Sequence, residues 1–329
     1  YIPTAFCAYT GQALDAKTPL LRSMEAVSRE AVRFCRAIGM EGVTRVEPSV
    51  GAEQEYFIID RAAYEERLDL KICGVTLMGA PMPKGQELDD HYLGRIRIRI
   101  GRYMREVERR LWELGVPAKT KHNEAAPAQH ELALVYEGCN IACDHNQLVM
   151  ETLRIVAKEQ GLACLLHEKP FARVNGSGKH NNYSLSTNTG VNLLSPGKDP
   201  AGNTRFLLTL CAFLRGIDSY PELLRLSAAS AGNDLRLGGN EAPPAIISVF
   251  LGDALLRTLH QAAGEEMEDA PGAHSLNIGV STSPELMADD SDRNRTSPLA
   301  FTGNKFEFRM VGSSQSIALA NTVLNTILA

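Results

Sequence analysis

Residues 51–60 read GAEQEYFIID, a segment in which two glutamates precede an apolar run. Alternate side chains of a β-strand point to the same face, so Glu53 and Glu55 would lie about 7 Å apart on one face. Two carboxylates at this separation repel one another unless a cation lies between them. The segment predicts a strand, and by itself it leaves open whether the acidic face meets water or belongs to a cation site.

Strand-like and helix-like patterns alternate on both sides of this segment. We expect strands at residues 51–60, 131–135, 183–187 and 305–311. We expect helices at residues 20–38, 88–114, 140–160, 205–214, 245–262 and 314–329. Long helices that alternate with isolated strands are typical of an α/β or α+β domain. Neither the G-x-G-x-x-G motif nor the P-loop motif occurs, so the familiar nucleotide-binding loops are absent from the sequence.

The composition is that of an ordinary globular protein of 329 residues, with 44% hydrophobic and 22% charged residues. The 34 Lys and Arg residues against 39 Asp and Glu residues give a net charge of −5, which argues against general affinity for nucleic acid. Every apolar run is shorter than the roughly 18 residues of a membrane span, so no membrane partner is expected. The length by itself allows one large domain or two smaller ones.

The seven cysteines favour reduced thiols, because their number is odd and no pair has the C-x-x-C spacing. Reduced thiols indicate a cytoplasmic location. Cys139, Cys143 and His145 leave a zinc site as an alternative, although a second ligand pair of suitable spacing is missing. The chain starts at Tyr1 without a targeting signal and ends inside a helical pattern, so we expect a piece of a longer protein, cut at both ends.

A basic run occupies residues 95–105, where five arginines alternate with apolar residues. A nucleic-acid surface would need such charge. However, Glu106, Glu108 and Glu113 follow directly, and the whole stretch fits an amphipathic helix with a solvated polar face. We therefore expect no nucleic-acid partner.

Three further segments carry the remaining chemistry. Residues 121–131 read KHNEAAPAQHE, so Glu124 and Glu131 bracket an Ala/Pro turn. Residues 175–180 read NGSGKH, a glycine-rich turn that exposes backbone N–H groups and delivers His180. Residues 304–309 read NKFEFR, which places Glu307 and Arg309 on one strand face and the phenylalanines on the other.

Together these segments offer an oxygen-rich set of metal ligands with one imidazole: Glu53, Glu55, Glu124, Glu131, Glu307 and His180. Such a set suits Mg²⁺, and the imidazole is tolerated best by Mn²⁺. Arg236, Arg295 and Arg309 could grip phosphate or carboxylate oxygens in pairs. Metal ions with arginines and without a general-base dyad favour phosphoryl transfer. The residues alone therefore indicate a metal-dependent enzyme that uses ATP, and they leave its substrate open.

The motifs and their order resemble glutamine synthetase of the large type III variety. The resemblance rests on residues 121–131 and 175–180, on residues 236–244, RLGGNEAPP, and on residues 297–314, SPLAFTGNKFEFRMVGSS. It implies an α+β fold with a curved, mainly antiparallel catalytic sheet flanked by helices, the glutamine synthetase/guanido kinase-like catalytic domain. It also implies that residues 1–329 form one catalytic domain, from which the N-terminal β-domain and a C-terminal extension are absent.

Carried over position by position, the resemblance implies two metal sites. One lies beside the glutamate substrate and would be held by Glu55, Glu124 and Glu131. The other binds the ATP phosphates and would be held by Glu53, His180 and Glu307.

The resemblance also implies roles in substrate binding and catalysis. Substrate glutamate would contact Glu124, Gly176, Arg236 and Arg309. Catalysis would involve Arg295, Arg309 and Glu241, the last on a flap where it helps to deprotonate ammonium. The nucleotide would contact Ser184, Asn182, Lys305 and Arg295.

The sequence departs from the family pattern at three points. Asn182 stands where a second histidine often follows the metal-binding one. The second arginine that the family often has a few residues after the position of Arg295 is missing, since the region reads Pro298-Leu-Ala-Phe301, and Lys179 is expected to compensate for the lost phosphate contact. The aspartate that the family's N-terminal domain donates to the neighbouring subunit's ammonium site has no match.

The activity that the resemblance implies is ATP-dependent ligation of ammonia to L-glutamate through γ-glutamyl phosphate, a step of nitrogen assimilation. The expected partners are L-glutamate, ATP and ammonium, with two or more Mg²⁺ or Mn²⁺ ions per site. The full-length protein is expected to form a homo-oligomeric ring, a hexamer or dodecamer, and the fragment alone is expected to be inactive. The alternatives are a glutamate–amine ligase of the same fold and a non-catalytic scaffold relative.

Overall fold

The computed structural model describes residues 2–265, 275–276, 279–280, 282, 286–287, 292 and 295–329. Its strands are β1 (Val46–Asp60), β2 (Ala118–Asn123), β3 (Gln129–Leu134), β4 (Glu137–Gly138), β5 (Leu162–Leu165), β6 (Lys179–Thr187), β7 (Val249–Phe250), β8 (Ser275–Leu276), β9 (Leu286–Met287), β10 (Leu299–Phe301) and β11 (Phe306–Phe308). Its α-helices are α1 (Lys17–Ala37), α2 (Arg61–Glu65), α3 (Leu68–Cys73), α4 (Ile98–Glu113), α5 (Cys139–Glu159), α6 (Thr204–Ser219), α7 (Pro221–Ser227), α8 (Ala231–Arg236), α9 (Asp253–Ala263) and α10 (Ala318–Leu328).

The main sheet has the order β2-β3-β1-β6-β11-β10-β7, and β4 and β5 also pair with β1. All pairings in it are antiparallel except that between β7 and β10. The long strand β1 pairs with four other strands, and most of its residues are buried. The expected α+β fold, with a mostly antiparallel sheet and flanking helices, is confirmed.

The two faces of the sheet have different roles because side chains alternate along each strand. On β1, Tyr56 and Ile58 pack with helices α4 and α5 in one apolar core, whereas Glu53 and Glu55 point to the opposite face. Helix α5 also has one buried face, because buried residues recur along it every three or four positions. Helices α1, α6 and α10 cover the neighbouring part of the sheet. One face is thus free to carry the site.

Three predicted helices begin later than expected, one of them α10, which starts at Ala318 in the 314–329 segment. In the 88–114 segment the helix starts at Ile98, because Leu88 and Asp89 have positive φ angles of 57° and 49°, which no α-helix accommodates. In the 245–262 segment the helix starts at Asp253, after Gly252 with φ 79°. Residues 249–250 of that segment instead pair with β10 as strand β7.

The other predicted elements are present with shifted ends. Helix α6 extends the 205–214 prediction to Ser219, and the side chain of Asn203 accepts a hydrogen bond from the Phe206 N–H at its start. Helix α4 carries the expected solvated face, since Arg99, Arg102 and Arg105 are exposed while Tyr103 and Leu111 are buried. No helix among the described residues is long and apolar enough to cross a membrane.

Candidate active site

The register of four neighbouring strands brings the predicted carboxylates together. Glu53 of β1 pairs with His180 of β6, and Glu55 pairs with Glu131 of β3. Glu307 of β11 lies opposite Asn182, two residues after His180 on the same face of β6. The acidic face of β1 is therefore part of a convergent cluster rather than a surface open to water.

Glu53, His180 and Glu307 form the first cluster, in which potential ligand atoms lie within 4.8 Å of one another. The Nδ1 atom of His180 is 2.7 Å from Glu307 Oε1 and 3.2 Å from Glu53 Oε2. Burial is the largest single influence and disfavours the charged imidazole, but the charge of Glu307 together with hydrogen bonds to Glu307 and Glu53 outweighs it and raises the pKa of His180 to about 10. Burial also opposes ionisation of Glu307, yet His180 and Arg309 hold the pKa of that carboxyl well below its usual range.

His122, Glu124 and Glu131 form the second cluster, with the same 4.8 Å limit. The Nε2 atom of His122 is 2.9 Å from Glu131 Oε1, and its Nδ1 atom is 3.5 Å from Glu124 Oε1. Burial, with the charges of Glu55 and Glu131, raises the pKa of Glu124 to about 8. The hydrogen bond to Glu131 raises the pKa of His122 to about 9. Buried carboxylates crowd here without a matching number of cationic groups.

Glu55 lies beside the second cluster but outside both three-residue groups. Its Oε2 atom accepts hydrogen bonds from the Gly178 N–H, at 2.8 Å, and from Gln129 Nε2, at 3.2 Å. This carboxylate therefore anchors the glycine-rich turn, while its charge acts on Glu124.

A cavity of about 330 Å³ opens next to the clusters and contains both predicted catalytic arginines. Its lining residues are Asp89, Tyr92, Glu124, Glu241, Asp292, Arg295, Thr302, Glu307 and Arg309. One Arg309 nitrogen donates to Glu307 and the other to Asp292, both at 2.9 Å. Arg295 donates to Glu241 at 3.2 Å, and Asn175 donates to the same Glu241 oxygen at 2.6 Å. We call this space the arginine cavity.

A second cavity of about 410 Å³ contains three of the four residues predicted to bind nucleotide, namely Asn182, Ser184 and Lys305. Glu53 also lines it, whereas Glu307 lines the arginine cavity. The first cluster therefore lies at the boundary between the two cavities. Asn182 donates to Glu53 at 2.9 Å, and Ser184 donates to the Asn304 carbonyl oxygen at 2.9 Å. Arg295, the fourth predicted residue, lines the arginine cavity instead.

Gly176 and Arg236, two predicted substrate-binding residues, contact the backbone around the site and not its cavities. A β-carbon at Gly176 would lie 2.3 Å from the Glu168 carbonyl oxygen, so only glycine fits there. The buried Arg236 guanidinium donates to the Arg309 carbonyl oxygen at 3.0 Å and to Asn233 Oδ1 at 2.8 Å. Neither residue lines the arginine cavity in this conformation.

The expectation that Lys179 replaces a missing phosphate contact is wrong. Lys179 alternates with His180 on β6, so its side chain points to the helical face. Its Nζ atom is buried, where it donates to Asn146 Oδ1 at 3.0 Å and contacts the Met150 sulfur.

The zinc alternative gains no support within the described residues. Cys139 and Cys143 are buried in the apolar core around helix α5, and His145 contacts Glu137. Neither three-residue cluster of potential metal ligands found in that part of the chain contains a cysteine.

Comparison with known proteins identifies the family to which this site belongs. The family described as "Glutamine synthetase, catalytic domain" matches residues 28–246, and "Glutamine synthetase type III N terminal" matches residues 1–23. The chain belongs to the glutamine synthetase family. The resemblance to the type III variety is confirmed.

Curated relatives of the glutamine synthetase family cover the whole chain. The "Type-3 glutamine synthetase" of Dictyostelium discoideum is 54% identical over 328 residues, which are 100% of this chain and 45% of the relative. The "Glutamine synthetase" of Butyrivibrio fibrisolvens is 56% identical over 306 residues, which are 93% of this chain and 43% of the relative. The chain thus spans less than half the length of these relatives.

Solved structures support the glutamine synthetase fold at lower identity. "CryoEM Plasmodium falciparum glutamine synthetase" aligns with a TM-score of 0.64 and 15% identity, covering 98% of this chain and 57% of that one. "Apo GmaS without ligand" aligns with a TM-score of 0.59 and 18% identity, covering 93% of this chain and 56% of that one. At these identities the likeness concerns the fold alone.

Sequence reasoning missed two residues of this site. His122 lies near the end of β2, two positions before Glu124, and an imidazole so close to a predicted metal ligand was a signal that the sequence offered. Its contact with Glu131 depends on the pairing of β2 with β3, which the sequence does not state. Asp292 precedes Thr296 by four residues and accepts hydrogen bonds from the N–H and hydroxyl groups of that threonine. An aspartate shortly before a threonine is a local turn pattern that the sequence alone could have indicated.

Proposed function

We propose that the chain is the catalytic domain of a glutamine synthetase that ligates ammonia to L-glutamate with ATP. The observation that carries the proposal is the position of the Glu53–His180–Glu307 cluster between a cavity of nucleotide-binding character and an arginine-lined cavity. A phosphoryl group that passes from one cavity to the other must cross this cluster. The relatives at 54% and 56% identity, both called glutamine synthetase, add support.

We propose that Mg²⁺ or Mn²⁺ occupies both clusters. The donor sets fit, because each combines two carboxylates with one imidazole, as hard divalent ions and Mn²⁺ in particular accept. The raised pKa of Glu124 supports the assignment, since this carboxylate gains from a neighbouring cation at neutral pH. When bound, such ions neutralise phosphate oxygens during transfer. Glu55, which lies outside this three-residue group, would complete the second site only after its carboxylate had moved closer.

ATP is proposed to bind in the cavity that contains Asn182, Ser184 and Lys305. Lys305 supplies a positive charge for phosphate oxygens. The Ser184 hydroxyl and the Asn192 amide, both at the cavity wall, offer polar contacts for the nucleoside.

L-glutamate is proposed to bind in the arginine cavity. The guanidinium groups of Arg309 and Arg295 suit a carboxylate and a transferring phosphoryl group, which carry complementary negative charge. The side-chain carboxylate of the substrate would attack the γ-phosphoryl group of ATP, so that γ-glutamyl phosphate forms and ADP leaves. Both arginines are held in place by carboxylates, which reduces the reorganisation needed for charge stabilisation.

Glu241 is proposed to take the proton from ammonium. Its carboxylate lines the arginine cavity and is oriented by Asn175 and Arg295, each through one hydrogen bond to Oε2. The segment before it has positive φ angles at Gly238 and Asn240, a backbone suited to a flap. Ammonia would then displace phosphate from the acyl phosphate to give glutamine.

We further propose that the full-length protein is cytoplasmic and forms a ring-shaped homo-oligomer, a hexamer or dodecamer. Seven free cysteines agree with a reducing compartment. Among the described strands β2 is the last at its side of the sheet, and its outer edge, where Lys119 and Thr120 are exposed, offers one surface for a neighbouring subunit.

The test replaces Glu307 with glutamine, which keeps the shape but removes the charge that holds His180 and Arg309. In the complete subunit we expect Glu307→Gln to lower kcat for glutamine formation by about 100-fold or more, as the loss of charge stabilisation at a reacting centre does. The control is Glu25→Gln, an exposed glutamate of α1, which should retain full activity.

The same assay separates the proposed reaction from ligation of another amine. Glutamate and ATP are supplied with either ammonium or methylamine, and kcat/KM is compared. A higher kcat/KM with methylamine would favour the alternative amine ligase, and no turnover with either would favour a scaffold protein.

A further inference from the structure

A third cavity, of about 530 Å³, lies against the helical face of the sheet and takes no part in the proposed reaction. It is within the size range of small-molecule sites. Ile58, Ile100 and Pro127 give it an apolar side. Ile58 belongs to the face of β1 that packs on helices, opposite to the face of Glu53 and Glu55. We call this space the helical-face cavity.

The helical-face cavity has an excess of positive charge. Lys84, Arg95 and Arg97 line it together with one acid, Asp90. Lys84 pairs with Asp90, whereas the structure describes no ion pair for Arg95 or Arg97. Arg97 also stands at the N-terminal end of helix α4, whose first turn contains no acidic residue. Two guanidinium groups at the positive end of a helix therefore line this space, and its one carboxylate, that of Asp90, is already paired with Lys84.

A buried imidazole gives the cavity a second polar feature. His130 is only 3% exposed, and its Nδ1 atom lies 3.0 Å from Asn123 Oδ1. The Asn123 amide nitrogen already donates to the His91 and Gly94 carbonyl oxygens, so its Oδ1 atom must accept from His130. No hydrogen bond is described for His130 Nε2 in the part of the chain that the structure covers. This nitrogen is left to accept a hydrogen bond from a hydroxyl group.

The wall between this cavity and the arginine cavity is one short segment. Asp89 and Tyr92 line the arginine cavity, whereas Asp90 and His91 line the helical-face cavity. His91 Nδ1 donates to the Glu124 carbonyl oxygen at 2.6 Å, which ties the wall to a proposed metal ligand. Positive φ angles at two consecutive positions, Leu88 and Asp89, make the wall a costly conformation that a ligand could stabilise.

We propose that the helical-face cavity binds a small phosphate monoester and that this ligand alters the affinity of the arginine cavity for glutamate. Arg95 and Arg97 bind the phosphate oxygens in pairs, as guanidinium groups do. A hydroxyl group of the ligand donates to His130 Nε2, and its carbon skeleton contacts Ile58 and Ile100. The site is separate from the residues proposed to bind ATP.

The first test measures binding alone and does not depend on the proposed activity. Glycerol 2-phosphate, inorganic phosphate and succinate are each titrated calorimetrically into the complete subunit, with saturating ADP and Mg²⁺ to occupy the nucleotide cavity. The double variant Arg95→Gln/Arg97→Gln is compared with Arg102→Gln/Arg105→Gln, a matched pair of exposed arginines on α4 outside the cavity.

We expect glycerol 2-phosphate to bind the parent and the control alike, and to bind the Arg95/Arg97 variant at least about tenfold more weakly, which corresponds to about 1.4 kcal/mol. Equal binding to all three proteins, or no binding at millimolar concentration, would overturn the site. Equal or tighter binding of inorganic phosphate or succinate would overturn the assignment to a phosphate monoester.

The second test measures the coupling between the cavities. The KM for glutamate is determined with and without glycerol 2-phosphate. A change of at least about twofold in the parent and the control, absent from the Arg95/Arg97 variant, is the expected result, and an unchanged KM in all three would overturn the coupling. An inactive parent that still binds the monoester would contradict the proposed function and not this site.

Discussion

At the scale of single residues, Asp292 holds both arginines of the arginine cavity in position. Its side chain accepts four hydrogen bonds, from the Thr296 N–H and hydroxyl, the Ser297 N–H and Arg309 Nη1. Its carbonyl oxygen accepts from the Arg295 N–H at 3.1 Å. Arg295 has φ 51°, a conformation that a non-glycine residue adopts only when its surroundings fix it. One buried carboxylate thus fixes a strained turn and a guanidinium group.

Asp292→Asn should raise the KM for glutamate about 10- to 100-fold, since a hydrogen bond to a charged group is worth about 1.5–3 kcal/mol. The asparagine keeps one acceptor oxygen but presents an amide group to the donors that surround it. The KM for ATP should stay unchanged, because Asp292 does not line the cavity of Ser184 and Lys305.

Steady-state kinetics of the complete subunit measures both constants, after circular dichroism has shown that the variant folds. If both KM values rose together, Asp292 would have a general structural role. An unchanged KM for glutamate would contradict its effect on Arg309.

At the scale of secondary-structure elements, strand β6 serves both faces of the sheet. His180, Asn182 and Ser184 face the site, while Lys179, Asn181 and Tyr183 face helices α5 and α10. The helical side is a buried polar network, in which Lys179 donates to Asn146 and Asn146 donates to Gln54. Gln54 in turn donates to the backbone carbonyl oxygen of Glu55. The network fixes the register of α5 against the strands that carry the ligands.

The pH dependence of unfolding should reveal the buried amine of this network. Burial lowers the pKa of Lys179 to about 7, whereas the unfolded chain keeps it near 10.5. Between these values the unfolded state binds the extra proton, so this lysine makes the free energy of unfolding rise with pH. Below pH 7 both states are protonated, and the contribution is constant.

We therefore expect Lys179→Met to remove that rise. Urea denaturation at several pH values, with a chelator to exclude metal binding, measures the free energy of unfolding of both proteins. The difference, parent minus variant, should increase from pH 7 to 10. Lys158→Met, at an exposed position of helix α5, against which Lys179 packs, should give a difference that does not change with pH. A flat difference for Lys179→Met would mean that the amine keeps its ordinary pKa in the folded protein.

At the scale of the whole molecule, the three cavities lie on different parts of the sheet. Two of them meet at the first cluster on the acidic face, and the third lies on the opposite face, beside the start of α4. The chain spans less than half the length of its curated relatives, and the resemblance implies that a neighbouring subunit supplies an aspartate to the ammonium site. The division into one catalytic domain stays a prediction.

The chain purified alone should bind ADP with Mg²⁺ but form no detectable glutamine, because the nucleotide cavity is built from its own residues and the ammonium site is not. Calorimetry measures the first property, and an assay of glutamine from ATP, glutamate and ammonium measures the second. The complete subunit serves as the positive control. Turnover by the isolated chain would show that no residue from outside it is needed.

The sequence by itself determined the residue types and the alternation that places them. Glu53 and Glu55 share a face because a strand has a period of two, and the same rule pairs Glu307 with Arg309. The four motifs, in their order, identified the family. Local backbone preferences also predicted the main helices and, within one residue, the starts of α5 and α6, but not the starts of α4 and α9, which come after positive φ angles at Leu88 and Gly252.

Only the tertiary structure decided which side chains meet. Register between β1 and β6, which are far apart in the chain, sets the contact of Glu53 with His180, and register between the consecutive strands β2 and β3 sets that of His122 with Glu131. The face assigned to Lys179 follows from the same pairing, which turned an expected phosphate ligand into a buried structural amine. Asp292 is similar, because its contact with Arg309 joins a turn to a strand 17 residues later. The residue types of the site can be read from short motifs, but their contacts form only when the fold brings those motifs together.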